Sequence, residues 1–434
     1  MRFGRVIISP WAALVAALVN SASLSAAPLP EAASNVHEGV ASCASSVCHG
    51  KVSKDPSATV WLNEYRVWLR QDYHSRAYRT LQTAQSEAIA RKLGLPSAAG
   101  AKICLDCHAD NVPSEARGRR FQISDGVGCE ACHGGAGQWL ESHAELGTSH
   151  ADNIAKGMYP TEQPLQRARL CLSCHLGTKD KFATHEIMGA GHPRLAFELE
   201  TFTVNQPAHY EVDADYRERK PAIAPVNMWL AGLAVTSMQS LELLQEQWFT
   251  RQSLIPELSF YQCHACHHPM DDLRWAPEGA AALPPGTVRL NDANLLVLIE
   301  VLAILDHDKI NELSSGLQQL HRASMESRSA VLNQAKALQQ VLEPVARQVS
   351  GANYSTERLR GLRSGLLKAA GAERFRHFTA AEQVFLAVET LSIAVGDNSR
   401  LESALDAWFK SVEDENAFVP QQFAVLAKQV MGAL

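Results

Sequence analysis

The sequence predicts an all-α protein in two parts, an irregular N-terminal region rich in cysteine and histidine and a C-terminal helical bundle. Three observations predict it. All ten cysteines and fourteen of the seventeen histidines fall before residue 276. Residues 276–286, Ala-Pro-Glu-Gly-Ala-Ala-Ala-Leu-Pro-Pro-Gly, read as a Pro/Gly linker. Residues 287–434 contain no cysteine and space their apolar side chains at the 3.6-residue period of helices, over a length sufficient for an apolar core of their own.

In chain order, residues 1–27 read as an export leader. Arg2 and Arg5 precede the apolar run Val6–Val19, and small residues follow from Ser21 to Ala27, suited to cleavage near Ala26. The run is short for crossing a bilayer. Leu295–Leu305 spans only about three turns and contains Glu300, and Met228–Leu244 is interrupted by Thr236, Ser237, Gln239, Ser240 and Glu242. No membrane span is therefore expected once the leader is removed. Residues 28–275 hold many Gly, Pro and polar breaks, so short helices and long connections are expected there. In the C-terminal part, Asn291 or Asp292 can cap a helix through about His307, and a second long helix is expected over about Ile310 to Val349. Thr379-Ala-Ala-Glu382 and Ser399-Arg-Leu-Glu402 read as capping boxes opening two more, for four to six helices in all.

The cysteines occur as five units, each closed by a histidine: Cys43-x4-Cys48-His49, Cys104-x2-Cys107-His108, Cys129-x2-Cys132-His133, Cys171-x2-Cys174-His175 and Cys263-x2-Cys266-His267. None is left over. This is the pattern of covalent c-type haem attachment: two thiols about one helical turn apart reach the two vinyl groups, and the next histidine binds iron. Zinc ribbons need no histidine after each pair and would strand a fifth pair, and Cys-x-x-Cys bridges are redox-active more often than structural. Five c-type haems are expected, including one on the widely spaced first unit. Haem attachment and export agree, because such haems are attached outside the bacterial cytoplasmic membrane; a periplasmic location is expected. A region filled by porphyrins also accounts for the long irregular connections.

Five histidines are thus proximal ligands. Of the remaining twelve, His307, His321 and His377 lie in the haem-free part and read as surface or core residues. The other nine are His37, His74, His143, His150, His185, His192, His209, His264 and His268. Ligation by two histidines at each iron would use five of them and favours low-spin iron that exchanges electrons without binding substrate.

Several segments resemble multihaem cytochromes of the cytochrome c-554 type. Trp61-Leu-Asn-Glu-Tyr-Arg-Val-Trp68 followed by Asp72-Tyr-His74-Ser-Arg-Ala-Tyr is similar to the stretch after their first haem. Gly126-Val-Gly-Cys129-Glu-Ala-Cys132-His133-Gly-Gly, with His143 downstream, resembles their Gly-x-Gly-Cys-Glu-x-Cys-His-Gly signature. His185-Glu-Ile-Met-Gly-Ala-Gly-His192-Pro-Arg-Leu-Ala-Phe-Glu, with Pro207-Ala-His209 after it, and Tyr261-Gln-Cys-His-Ala-Cys-His267-His268 resemble blocks of related larger multihaem cytochromes. The resemblance covers about residues 43–275. It implies periplasmic electron transfer and distal-ligand roles for His74, His143, His185, His192 and His209, with His150, His37 and His268 in reserve. The fifth haem, the wide first motif and the C-terminal helices depart from the tetrahaem pattern.

The alternative is a multihaem oxidoreductase acting on a small nitrogen or sulfur compound at one open iron. Pentahaem nitrite reductases mark that iron with a lysine in place of the motif histidine, and no motif here has one. Arg194, Tyr159 and Tyr210 are the pocket candidates under this alternative, or propionate partners and core residues otherwise. The formal charge of −6 becomes two units more negative when Arg2 and Arg5 leave with the leader, and haem propionates add to it. That argues against nucleic acid and for a periplasmic redox protein with a basic docking patch as partner.

Overall fold

The computed structural model describes residues 26–53, 60–250, 255–267, 283 and 287–434. The leader 1–27 lies almost wholly outside the described residues, as do His268 and all of the 276–286 linker except Leu283. The fold is all-α; among the described residues the extended pairings are three isolated bridges.

The N-terminal part is built from short helices and 3-10 turns, including Glu64–Gln71, Lys102–His108, Cys129–His133 and His185–Ala190. Nine longer helices make the packed body: α1 (Pro164–His175), α2 (Pro225–Leu243), α3 (Ala293–Ile304), α4 (Ile310–Glu326), α5 (Arg328–Gly351), α6 (Thr356–Gly371), α7 (Phe378–Val395), α8 (Asn398–Phe409) and α9 (Pro420–Gly432). Seven of these follow residue 287, against an expected four to six. The expected long helix over 310–349 is two helices. Ser327 adopts extended backbone and its hydroxyl accepts from the Ala330 N–H at 3.1 Å, which caps a new start. The two expected capping boxes are displaced, since α7 and α8 begin at Phe378 and Asn398 and so enclose Thr379 and Ser399. A complete box does form at Ser149 and Asp152.

The linker is not a boundary of the apolar core. Pro225 opens α2 at a position where its missing N–H is harmless. Trp229, Leu230, Ala231 and Ala234 on this helix are at most 1% exposed, because it is apolar on nearly every side and surrounded. It packs against α5, α1, α3 and α7. One apolar cluster accordingly joins Phe182, Trp229 and Leu230 to Leu296, Leu342 and Val384. The segment 228–244 therefore completes the core of the C-terminal helices. Cleavage within 276–286 is expected to leave the two pieces associated on a native gel and to release them only in denaturant. A folded, colourless 287–434 fragment separating freely would contradict this packing.

Helix α7 is long and apolar enough to cross a bilayer, but most of it is buried among its neighbours. The fifth cysteine motif is sewn to the entry of α3. The Gln262 N–H donates to the Arg289 carbonyl at 2.9 Å and the Asn291 N–H to the Phe260 carbonyl at 2.8 Å. Beneath this seam, buried Asp292 accepts from Arg289 Nε at 3.0 Å and lies 2.9 Å from His321 Nε2.

Candidate functional site

All five motifs place at least their first cysteine on a helical turn. The second, third and fourth close the helices Lys102–His108, Cys129–His133 and α1, and the fifth sits on a 3-10 turn from Cys263 to Ala265. The first begins at the end of the turn Val40–Cys43. Its two extra residues are absorbed in a tight loop in which the Cys48 N–H donates to the Ser45 carbonyl at 3.0 Å and the His49 N–H to the Cys43 carbonyl at 3.1 Å.

Each motif histidine faces one other histidine. The ring centres are 6.1 Å apart for His49 and His143, 6.3 Å for His108 and His192, 6.2 Å for His133 and His209, 6.3 Å for His74 and His175, and 6.1 Å for His185 and His267. The other ring pairs among the described residues scatter between 4.6 and 6.0 Å, as directly packed rings do. A metal bound to both rings would give such a nearly constant spacing, slightly longer than the rest. Two metal–nitrogen bonds of about 2 Å, and about 1 Å more from each nitrogen to its ring centre, give roughly 6 Å. The residues therefore fit iron between each pair. The ring planes are nearly perpendicular in three pairs, at 84–89°, and closer to parallel in the other two, at 13° and 36°.

Neighbours orient these rings by holding Nδ1 and leaving Nε2 for a metal. Nδ1 lies 2.9 Å from a Glu64 carboxylate oxygen in His49 and 2.9 Å from Asp72 in His74. In His108, His143 and His192 it lies 3.2, 3.2 and 2.8 Å from the carbonyls of Ala77, Trp139 and Pro193. Burial works against the charge on Asp72, but bonds from His74 and Gln206 outweigh it and hold the carboxyl at about 2. Burial pushes His133 down to about 3 and His175 to about 4, so both stay neutral, the form that ligates. Among the described residues, the buried donors that lack an acceptor include Trp139 Nε1 beside His143 and Arg76 Nε two residues from His74. A haem propionate would supply one to each.

Carboxylates set the scaffold between motifs, and the histidine count gave no hint of them. Glu130, inside the third motif, is buried and accepts from the N–H groups of Glu38 at 2.7 Å, Gly39 at 2.6 Å and Ala136 at 2.7 Å. It thereby draws the chain leading into the first motif onto the third. Gly39, at φ +90°, has no room for a Cβ against the Arg120 carbonyl. The Cys43 and Cys129 thiols lie within hydrogen-bonding reach of each other, as do those of Cys107 and Cys174. Glu257, upstream of the fifth motif, accepts from the His185 N–H at 2.7 Å.

The other candidates are engaged elsewhere. Buried His37 meets Asp110 at 2.8 Å and the Pro30 carbonyl at 3.3 Å, using both ring nitrogens. His150 pairs with Glu162 at 3.1 Å and His264 with Glu415 at 3.5 Å. His307 lies 2.8 Å from Gln348, and His377 accepts from Arg289 at 3.4 Å. Buried Tyr159 donates to the Gln166 carbonyl at 2.9 Å. Tyr210 accepts from Arg167 at 3.4 Å and lines a cavity of about 170 Å³ with Glu162, Glu200 and Tyr216. Arg194 is bound to Glu382 and Glu415.

Residues 41–134 match the family model described as cytochrome c554 and c-prime. The matched stretch holds the first three motifs and His74. Comparison with curated proteins and with solved structures returned no match.

Proposed function

We propose that this chain, a haem-containing electron-transfer cytochrome of the c-554 type over residues 41–134, holds five c-type haems and carries single electrons between periplasmic redox proteins. The observation that carries the proposal is the set of five histidine pairs at 6.1–6.3 Å, one at each motif. Cys43 and Cys48, Cys104 and Cys107, Cys129 and Cys132, Cys171 and Cys174, and Cys263 and Cys266 would attach the five groups. When bound, each haem supplies a one-electron iron couple that two neutral imidazoles keep low-spin. The chain's own residues fix ring orientation through Glu64, Asp72 and backbone carbonyls, and the two histidines of each pair would leave no position open to substrate. Thiol contacts set the first motif beside the third and the second beside the fourth, and Tyr159, bonded to the carbonyls of His133 and Gln166, ties the third to the fourth, which supports the spatial order first, third, fourth, second. The helix His185–Ala190, with His185 facing the fifth motif and His192 just beyond facing the second, extends it to the fifth.

The intact mass should exceed that of the processed polypeptide by five haem masses. A mass carrying four would remove the Cys43–His49 unit. Sustained wild-type turnover of nitrite, hydroxylamine or sulfite would replace the carrier reading with the enzymatic one.

A further inference from the structure

The geometry points to Glu415, on the turn between α8 and α9, as a positioning residue that locks the loop carrying His192 against the motif carrying His267. This rests on the five-centre reading above and gives the C-terminal helices a part in the redox chemistry. Arg194 follows His192 by two residues. Its Nε donates to one Glu415 carboxylate oxygen at 2.9 Å, and its Nη2 reaches Glu382 at 3.4 Å. The guanidinium carbon lies 5.3 Å from the centre of the Phe378 ring, a cation–π contact. The second Glu415 oxygen lies 3.5 Å from Nε2 of His264, which sits between the cysteines of the fifth motif. The His264 ring also meets Phe378 edge-on at 6.0 Å.

One carboxylate thus contacts the segments belonging to two centres. Arg194, Glu382, Glu415 and His264 are only 20–27% exposed, so they form a partly desolvated network rather than isolated surface pairs. The charges of Glu415 and Arg194 both reach Cys263. A negative charge there favours the oxidised iron at the fifth centre, and a positive one favours the reduced iron.

The test is a redox titration of the full holoprotein with Glu415→Gln, Glu415→Asp and Arg194→Gln, followed by optical and EPR spectra. Five haems should remain by mass in every variant. Glu415→Gln should raise the midpoint of the fifth centre by a tenfold change in its redox equilibrium, about 59 mV for one electron, and weaken the magnetic coupling between the second and fifth centres. Arg194→Gln should move the same midpoint the opposite way, and Glu415→Asp should keep the wild-type values. Opposite shifts separate a charge effect from a loosened fold, which would move both variants alike. A five-haem Glu415→Gln protein with unchanged midpoints and coupling overturns the inference alone. A wild-type protein without haem on Cys263 and Cys266 overturns the five-centre reading with it.

Discussion

Replacing His74 with alanine is expected to leave all five haems attached while turning one of the five irons from low-spin to high-spin and creating a carbon monoxide site. His74 faces His175 at 6.3 Å and makes no contribution to the covalent bonds at Cys171 and Cys174. Removing it opens one axial position and leaves the thioethers and His175 in place. Asp72, which holds the His74 ring, and Gln206, which donates to Asp72, stay behind and cannot replace the imidazole. The same outcome is expected at the second motif for His192→Ala. His37→Ala should not add a high-spin signal, because both nitrogens of His37 are engaged with Asp110 and Pro30. Unchanged spectra in both ligand variants would remove these assignments.

The largest effect on stability is expected for Asp292→Ala. Asp292, Arg289 and His321 are all buried, at 6, 5 and 0% exposure, and the carboxylate joins the other two. Removing it takes away the carboxylate that balances a buried guanidinium, which should destabilise the fold by about 3–5 kcal/mol in denaturant titrations. Burial alone would raise the Asp292 carboxyl, but Arg289 and His321 outweigh it and hold it well below the usual carboxylate range. A depressed carboxyl contributes stability that is fully present above the unfolded value of about 4 and fades as pH falls below it. The wild type should therefore lose stability on acidification below about pH 4 more steeply than the variant. Parallel acid profiles would show that the carboxylate contributes nothing there.

The cysteine-histidine motifs of the candidate site are legible in the sequence because they are local: two thiols and a histidine within five to seven residues. The pairing of opposite rings was not, since His49 and His143 meet only through tertiary structure. The resemblance named the five facing histidines, and their partners emerged from the fold. The supporting carboxylates left weaker traces, such as Asp72 two residues before His74 and Glu130 inside the quoted signature. Helix α2 was misplaced for a physical reason. A helix buried on nearly every side, with Thr236, Ser237 and Gln239 inside as well, carries no amphipathic mark of where it packs, so the linker reads as a core boundary. The break at Ser327 was hidden because a single serine cap interrupts an otherwise continuous apolar pattern.

The most direct test of the central claim is the EPR spectrum of the oxidised wild-type holoprotein with iron quantified. Five low-spin ferric centres are predicted, with no high-spin component. Axial-ring orientation sets the splitting of the iron d orbitals, so they should fall into two classes. Three would carry perpendicular rings and two more nearly parallel ones. A stoichiometric high-spin centre that binds carbon monoxide in the wild type would contradict the account, because one of the five histidine pairs would then not enclose an iron.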